Sequence, residues 1–362
     1  MKIVQLLPEL NEGGVERGVV ELNREFVKLG LTSIVISNGG RLEADIAADG
    51  GRHICFDICS KNPLTLPWRT LGLRKLLYAL SPDIVHARSR VPAWLAKFAL
   101  NRVGPHFVTT VHGMNSINRY SRIMTTGERV ICVSEVIRDY LLQHYPVDAE
   151  KLSIIQRGVD MNLFNPETIN HEYIADFKQR FGLDGKYIVT SVGRVTYLKD
   201  YESFIRAIAL CHKEIPEIIG VIVGGARDDK QEYLRSLKQL AKEQGIEERI
   251  IFTGSQDRMP EIHHLGDLSV NASLKMGNVG RTVTEALAMN TPVLATTFKG
   301  LSNLVKDGEN GYIIETQSPD DLAEKIRMSH QRRVTETRST VDPEFTLERM
   351  VTNTLSVYRS LQ

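Results

Sequence analysis

The sequence predicts an α/β protein made of two doubly wound domains in series. Short apolar runs alternate with longer amphipathic stretches along the whole chain, which is the pattern of βα units around parallel sheets. The alternation also stops and restarts around one polar, proline-containing segment. With 362 residues the chain has material for two cores, since a single domain commonly holds about 100–200 residues.

In the first series "KIVQLL", "TSIVIS", "DIVHA", "FVTTV" and "RVICVS" read as strands. Between the first two, "GVERGVVELNREFVKLG" places Val15, Val19, Leu22, Phe26 and Leu29 at helical spacing, with Gly30 as a stop. "VPAWLAKFALNRVG" repeats the pattern and ends on Gly104. The segment "FNPETINHEY" is the linker, so the domains are expected at 1–168 and 169–345. The second series runs "KYIVTSVG", "IIGVIVGG", "RIIFTG", "DLSVNAS", "PVLATT" and "GYIIE", again with helical patterns between. Last comes "FTLERMVTNTLSVYRSLQ", with Leu347, Met350, Val351, Leu355 and Tyr358 on one stripe. A helix over about 346–362 is expected either to cap the second domain or to cross back onto the first. Ligands of such sheets bind outside the carboxyl ends of the strands, so the two domains are expected to face each other across a cleft.

Apolar residues make up 42% and charged ones 25%, an ordinary soluble composition. Net charge is +1, so no overall field recruits nucleic acid. Residues 1–165 hold 20 Lys/Arg against 16 Asp/Glu, leaving 25 against 28 for the rest, an asymmetry compatible with a first half that meets an anionic surface. "MKIVQLLPEL" breaks at Pro8 and runs into acidic residues, so no secretory leader is expected. No apolar run reaches about 18 residues, so a cytoplasmic protein is expected. Cys55 and Cys59 lack the second pair that structural zinc requires, and Cys132 and Cys211 supply none; no metal site is expected.

Three loops carry candidate chemistry. Gly13 and Gly14 follow the first strand and open a helix, where backbone amides approach an anion closely, or where a plain glycine turn suffices. In "SVGRVTYLKDYESFIRA" Gly193 and Arg194 follow a strand and Lys199 precedes a helix, so two cations flank a loop fit to grip a diphosphate. In "SLKMGNVGRTVTEALAMNTPV" the run Gly280-Arg281-Thr282 sits at a helix start, which favours phosphate. Glu285 is read there as a first-turn acid placed for a hydroxyl pair such as a ribose diol. Ser134 and Glu135 read as a helix cap.

Taken in order, "GGVER", "PDIVHARSR", "TTVHG", "VICVSE", "RGVDMNLFNP", "VGRVTYLKD", "VIVGG", "IIFTGS", "GRTVTEALAMNTPV" and "NLVKDGENGYI" span nearly the full length. In this the chain resembles the family-4 (group 1) retaining glycosyltransferases of the GT-B fold, in which two Rossmann-like domains bind nucleotide sugars. In motif style it looks most like bacterial lipopolysaccharide and polysaccharide enzymes. The resemblance implies a UDP-sugar or GDP-sugar donor, a glycan or lipid-linked acceptor, and no further cofactor. It implies that Gly14 faces the donor phosphates or the acceptor, and that His112 of "TTVHG" contacts the transferred sugar. Arg194 and Lys199 would bind the diphosphate, Glu285 the ribose, and the amides around Arg281 and Thr282 the phosphates.

One departure stands out. The family motif has a carboxylate eight residues before Glu285, and here that position is Gly277, followed by Asn278 and Val279. Loss of a carboxylate on the donor sugar's hydroxyls weakens that hold by about 1.5–3 kcal/mol, unless the donor sugar differs or Asn278 substitutes. The same gap motivates a second reading, a catalytically silent homologue that binds a nucleotide or a partner as a scaffold. A nicotinamide dehydrogenase is disfavoured by the missing GxGxxG. Arg88, Arg90, Lys97 and Arg102 beside Trp94 and Phe98 suggest peripheral contact with an anionic membrane, against the alternative of a solvated helix burying one face.

Overall fold

The computed structural model describes residues 1–11, 13–100, 104–274, 280–296 and 304–362. They form two compact units. The first holds Met1–Arg157 together with Leu347–Gln362, and the second is Gly158–Thr346.

The strands of the first unit are β1 (Lys2–Leu6), β2 (Thr32–Ser37), β3 (Arg52–Cys55), β4 (Ile84–Ala87), β5 (His106–Val111), β6 (Arg129–Cys132) and β7 (Leu152–Ile154). They make one parallel sheet in the order β3-β2-β1-β4-β5-β6-β7. Its helices are α1 (Gly14–Lys28), α2 (Glu43–Ala48), α3 (Leu66–Leu80), α4 (Arg90–Ala99) and α5 (Glu135–His144). Successive strand residues point to opposite faces. Accordingly Ile3 and Ile84 join the core shared with Leu22 and Phe26 of α1, while Val4 and Val85 join the one shared with Leu73 and Leu77 of α3 and Leu95 of α4.

The strands of the second unit are β8 (Tyr187–Val192), β9 (Ile218–Val223), β10 (Ile250–Gly254), β11 (Leu268–Asn271), β12 (Val293–Thr296) and β13 (Gly311–Ile314). They too are all parallel, in the order β10-β9-β8-β11-β12-β13. Its helices are α6 (His171–Phe181), α7 (Tyr201–Cys211), α8 (Gln231–Glu243), α9 (Met259–Leu265), α10 (Gly280–Ala288) and α11 (Pro319–Gln331). Ile188 faces α6 and α9, whereas Val189 faces α7, α8 and α11. Strand order reverses direction between β1 and β4 in one sheet and between β8 and β11 in the other. Such switch points are where loops diverge and leave a crevice for a ligand.

Two details differ from the sequence reading, and of the two placements expected for the last helix one is found. The boundary falls at Gly158 rather than after 168. Residues 158–168 go with the second unit because Val159 pairs with Thr346 and the Arg338 guanidinium donates to the carbonyls of Met161 (2.6 Å), Phe164 and Ala288 (2.8 Å). The last helix, α12 (Leu347–Arg359), lies in the first unit, where Leu347, Met350, Val351 and Tyr358 pack against Ile3, Phe26 and Ile84. Finally, α4 stops at Ala99, with Leu100 extended, instead of continuing to Gly104. Among the described residues no helix is long and apolar enough to cross a membrane.

Candidate active site

In the second unit the loops after β8, β9 and β11 converge at the carboxyl edge of the sheet. The Gly193 N–H donates to the Val223 carbonyl (2.9 Å) and the Val195 N–H to that of Gly225 (3.0 Å). The approach leaves no room for a side chain at Gly224, whose φ is +153° and where a Cβ would stand 2.0 Å from the Gly193 carbonyl oxygen. The Tyr201 hydroxyl at the start of α7 donates to that same oxygen (2.6 Å). The Gly193–Arg194 loop is thereby fixed on both sides.

A short 3-10 turn, Tyr197–Lys199, follows, and Asp200 caps α7 from the left-handed region at φ +49°. This turn sends Lys199 back under the loop: its Cε would lie 2.7 Å from a Cβ at Gly193, and its Nζ donates to Ser273 Oγ after β11 (3.2 Å). Ser273 Oγ donates to Asn271 Oδ1 (2.6 Å), and Asn271 Nδ2 donates to Thr282 Oγ1 in the first turn of α10 (2.8 Å). One polar chain thus ties two of the three loops flagged in the sequence together across the β8/β11 switch point. Burial and the adjacent Arg194 guanidinium push the Lys199 ammonium down to about 8. Arg194 itself is exposed.

α10 is described from Gly280, and Glu285, its sixth residue there, lies beyond the first turn. The expectation of a first-turn acid is corrected accordingly. The side chain is buried, accepting from Arg281 Nε at Oε1 (2.7 Å), with His263 Nε2 3.4 Å from Oε2. Burial by itself would raise its pKa; Arg281 and His263 together hold it at about 2. The sequence reading missed His263. It stands on α9, and its only signal was "EIHHL", a histidine pair on a short amphipathic helix. Gly277, Asn278 and Val279 lie outside the described residues, so the departure at Gly277 has no structural account.

The remaining candidates lie in the first unit. Gly13 precedes α1 and Gly14 is its first residue. The Arg157 guanidinium lies across this helix start: a Cβ on Gly14 would be 3.4 Å from its Nη1, and one on Gly18 only 2.5 Å from its Nη2. Arg157 was not singled out from "RGVD"; the glycines four apart in α1 were its one clue. His112, one residue past β5, lines a small cavity of about 30 Å³ with Arg88, Arg157 and Gly18. Both its ring nitrogens are buried with no hydrogen-bond partner. Burial and then the guanidiniums of Arg157 and Arg88 hold its pKa well below the usual histidine range, so the ring is neutral at pH 7.

Arg88 does not belong to an exposed basic patch. It is buried, donating to Gln5 Oε1 (2.5 Å) and Thr110 Oγ1 (3.3 Å). Thr110 also pairs with His86, whose other nitrogen meets the Tyr358 hydroxyl of α12 (2.6 Å each). Trp94 and Phe98 line a larger cavity together with Tyr120, and Arg102 lies outside the described residues. Ser134 is the N-cap of α5, its Oγ accepting from the Ile137 N–H (3.3 Å). No cluster of three or more His, Cys, Asp or Glu able to hold a metal occurs among the described residues.

Two parallel α/β units, the second with a partly buried lysine and a helix start at its switch point, define the GT-B architecture. The chain belongs to the group 1, family 4 glycosyltransferases: residues 12–163 match the model of Glycosyltransferase Family 4, and residues 174–338 that of Glycosyl transferases group 1. It is similar to spore coat protein SA of Bacillus subtilis, 26% identical over 76% of this chain and 78% of that protein. It is also similar to mannosylfructose-phosphate synthase of Agrobacterium fabrum, 30% identical over 55% of this chain, though only 44% of that protein. Among solved structures, a glycosyltransferase from Rickettsia africae superposes with TM-score 0.89 at 27% identity, over 99% of this chain and 98% of that one. The Anabaena protein HepE in complex with UDP and glucose gives 0.85 at 20% identity, over 99% of this chain and 100% of that one; this is a likeness of GT-B fold.

Proposed function

We propose that the chain is an active, retaining and metal-independent glycosyltransferase. In this reading it moves a sugar from a UDP- or GDP-sugar to a glycan or lipid-linked acceptor in bacterial surface polysaccharide or lipopolysaccharide synthesis. It works at the inner face of the cytoplasmic membrane and needs no further cofactor. The observation that carries this is Lys199: an ammonium tucked beneath a glycine loop at the switch point and linked through Ser273 and Asn271 to the start of α10.

Arg194 and Lys199 grip the donor diphosphate where the chain turns at Gly193, while the amides of the α10 start around Gly280, Arg281 and Thr282 face its phosphates. Gly13 and Gly14 face the phosphates or the acceptor, and the neutral ring of His112 meets the transferred sugar. Glu285 can serve the ribose only by sharing its carboxylate with Arg281 and His263, or by exchanging one of them. In the reaction the bond from the anomeric carbon to the diphosphate oxygen breaks. The acceptor oxygen bonds to that carbon on the same face, and its proton passes to the departing diphosphate. Negative charge builds on phosphate oxygens, where fixed cations stabilise the transition state more than the bound substrate.

Turnover of a panel of UDP- and GDP-sugars, with and without acceptor pools, tests the assignment. Lys199→Ala is expected to lower turnover by about 10²–10³-fold, and unchanged turnover would overturn it. Nucleotide binding by the native protein without turnover of any donor would replace it with the silent-homologue reading.

The membrane contact is better supported at α3 than at α4. Trp68, Leu71 and Tyr78 are exposed there by 76, 46 and 86%, at spacings that bring them to one side of the helix, and Leu64 in the turn just before it is 82% exposed. Arg74 and Lys75 are exposed beside them, and no acidic residue occurs between Asp57 and Asp83. This is the make-up of a helix lying in an anionic interface.

A further inference from the structure

Glu285 has two partners in the second unit, and they are not equivalent. Its carboxyl is held at about 2, so the group is ionised across the working range and both oxygens only accept. Oε1 accepts from Arg281 Nε at 2.7 Å. Oε2 faces His263 Nε2 at 3.4 Å, a contact too long and too poorly aligned to be a hydrogen bond.

The histidine is fixed in place. Its side chain is 0% exposed, and its ring lies against Phe164 with centroids 6.2 Å apart. Its carbonyl accepts from Thr291 Oγ1 (2.7 Å) and from the Gly266 N–H (3.3 Å). The other end of α9 is anchored where Glu261 Oε1 accepts from Arg258 Nη2 (2.6 Å) and from the Asn170 N–H (3.3 Å). Arg281 is placed otherwise: it stands in the first turn of α10, its side chain keeps 12% exposure, and its long stem allows the guanidinium to swing.

Hydrogen-bond satisfaction also assigns the ring's tautomer. A carboxylate oxygen only accepts, so the nitrogen facing it carries the hydrogen; Nδ1 is buried without a partner, and a hydrogen there would be left unpaired. A buried Nε2–H satisfied this loosely is costly, and a movement of Oε2 toward the ring by about half an ångström would complete the bond. The carboxylate is thus held tightly by the partner that can move and loosely by the one that cannot.

We propose that His263 is a positioning residue for donor binding: it takes Oε2 of Glu285 as the ribose hydroxyls displace Arg281 from Oε1, so the carboxylate stays oriented while the guanidinium passes to the diphosphate. Arg281 thereby exchanges one anion for another and is never left as an uncompensated charge. The proposal rests on the reading of Glu285 as the ribose ligand; the fixed histidine and the exchange of partners are what it adds.

Calorimetry on the full chain compares UDP or GDP, whichever binds, with its 2′,3′-dideoxy counterpart. The native chain is expected to bind the ribonucleotide at least about tenfold more tightly, as hydroxyls bonded to a carboxylate give. His263→Phe keeps an aromatic ring against Phe164 and deletes the donor. It should lower that ratio at least about threefold by weakening the ribonucleotide alone, whereas a merely structural role would weaken both nucleotides alike. His263→Gln, whose amide can reach the place of Nε2, should keep most of the ratio, and in the Glu285→Gln background His263→Phe should have no further effect.

NMR of the native chain labelled with 15N-histidine tests the same point without an apolar substitution. The ring signals that His263→Gln removes should report an Nε2–H tautomer and should shift on adding the ribonucleotide but not the dideoxynucleotide. A ratio untouched by His263→Phe, or ring signals indifferent to the ribonucleotide, would overturn the proposal while leaving Glu285 on the ribose. A native chain that binds both nucleotides equally, or neither, would remove the ribose reading and the proposal with it.

Discussion

At the residue scale, the chemistry turns on a lysine whose environment makes it titrate within reach of neutral pH. An isolated lysine is charged up to 10.5, whereas burial beside Arg194 brings Lys199 to about 8. The folded chain therefore binds fewer protons than the unfolded one between about 8 and 10.5, and this group's unfavourable contribution to stability, complete below 8, is relieved as pH rises through that window. A diphosphate favours the ammonium, so UDP affinity should be flat below pH 8 and decline above it, with proton uptake on binding near pH 8. Calorimetry in buffers of different ionisation enthalpy measures that uptake, and Lys199→Arg should abolish it. The loop position and charge of Lys199 were legible in "VGRVTYLKD"; its burial was not, because that depends on Gly193 and Gly224 letting two loops cross at contact distance. Glu285 shows the opposite limit. Its helix could be read from the sequence, but the partner His263 comes from α9 and no local pattern announces it.

At the element scale, central strands were readable because both faces of a parallel sheet are covered and the run becomes continuously apolar. β1, β4 and β5 were read within a residue or so of their ends. The edge strands of the first sheet were not: "RHIC" of β3 is only partly buried, and β7 is the three residues Leu152–Ile154, whereas β10 and β13 at the edges of the second were read as "RIIFTG" and "GYIIE". The helices were subtler. α4 carries the aromatic and basic residues that suggest an interface, yet Trp94, Phe98 and Tyr120 stack around a cavity, whereas α3 leaves Trp68 and Tyr78 open to solvent. Membrane contact by this account is a property of α3. The native chain should co-float with phosphatidylglycerol vesicles, and Trp68→Ala with Tyr78→Ala should cut the bound fraction several-fold. Loss of flotation on Arg90→Ala instead would return the contact to α4.

At the scale of the whole molecule, the two series of βα units were evident from the alternation alone, and the repeat of a glycine loop in each pointed to two binding edges. The exact boundary and the allegiance of α12 were not, since the amphipathic stripe of Leu347 to Tyr358 says that a face is buried but not against what. Here it is the first unit, secured by the Tyr358 hydroxyl on His86. The chain thus returns to its first unit only after the second is complete.

The central claim is that these units transfer a sugar with its anomeric configuration kept. Proton NMR of a reaction containing the donor selected by the panel and its acceptor tests this directly. The account predicts that the donor anomeric signal declines as nucleoside diphosphate and a glycoside of the same configuration appear in equal amounts. A product of inverted configuration, or donor bound without either product, would contradict it.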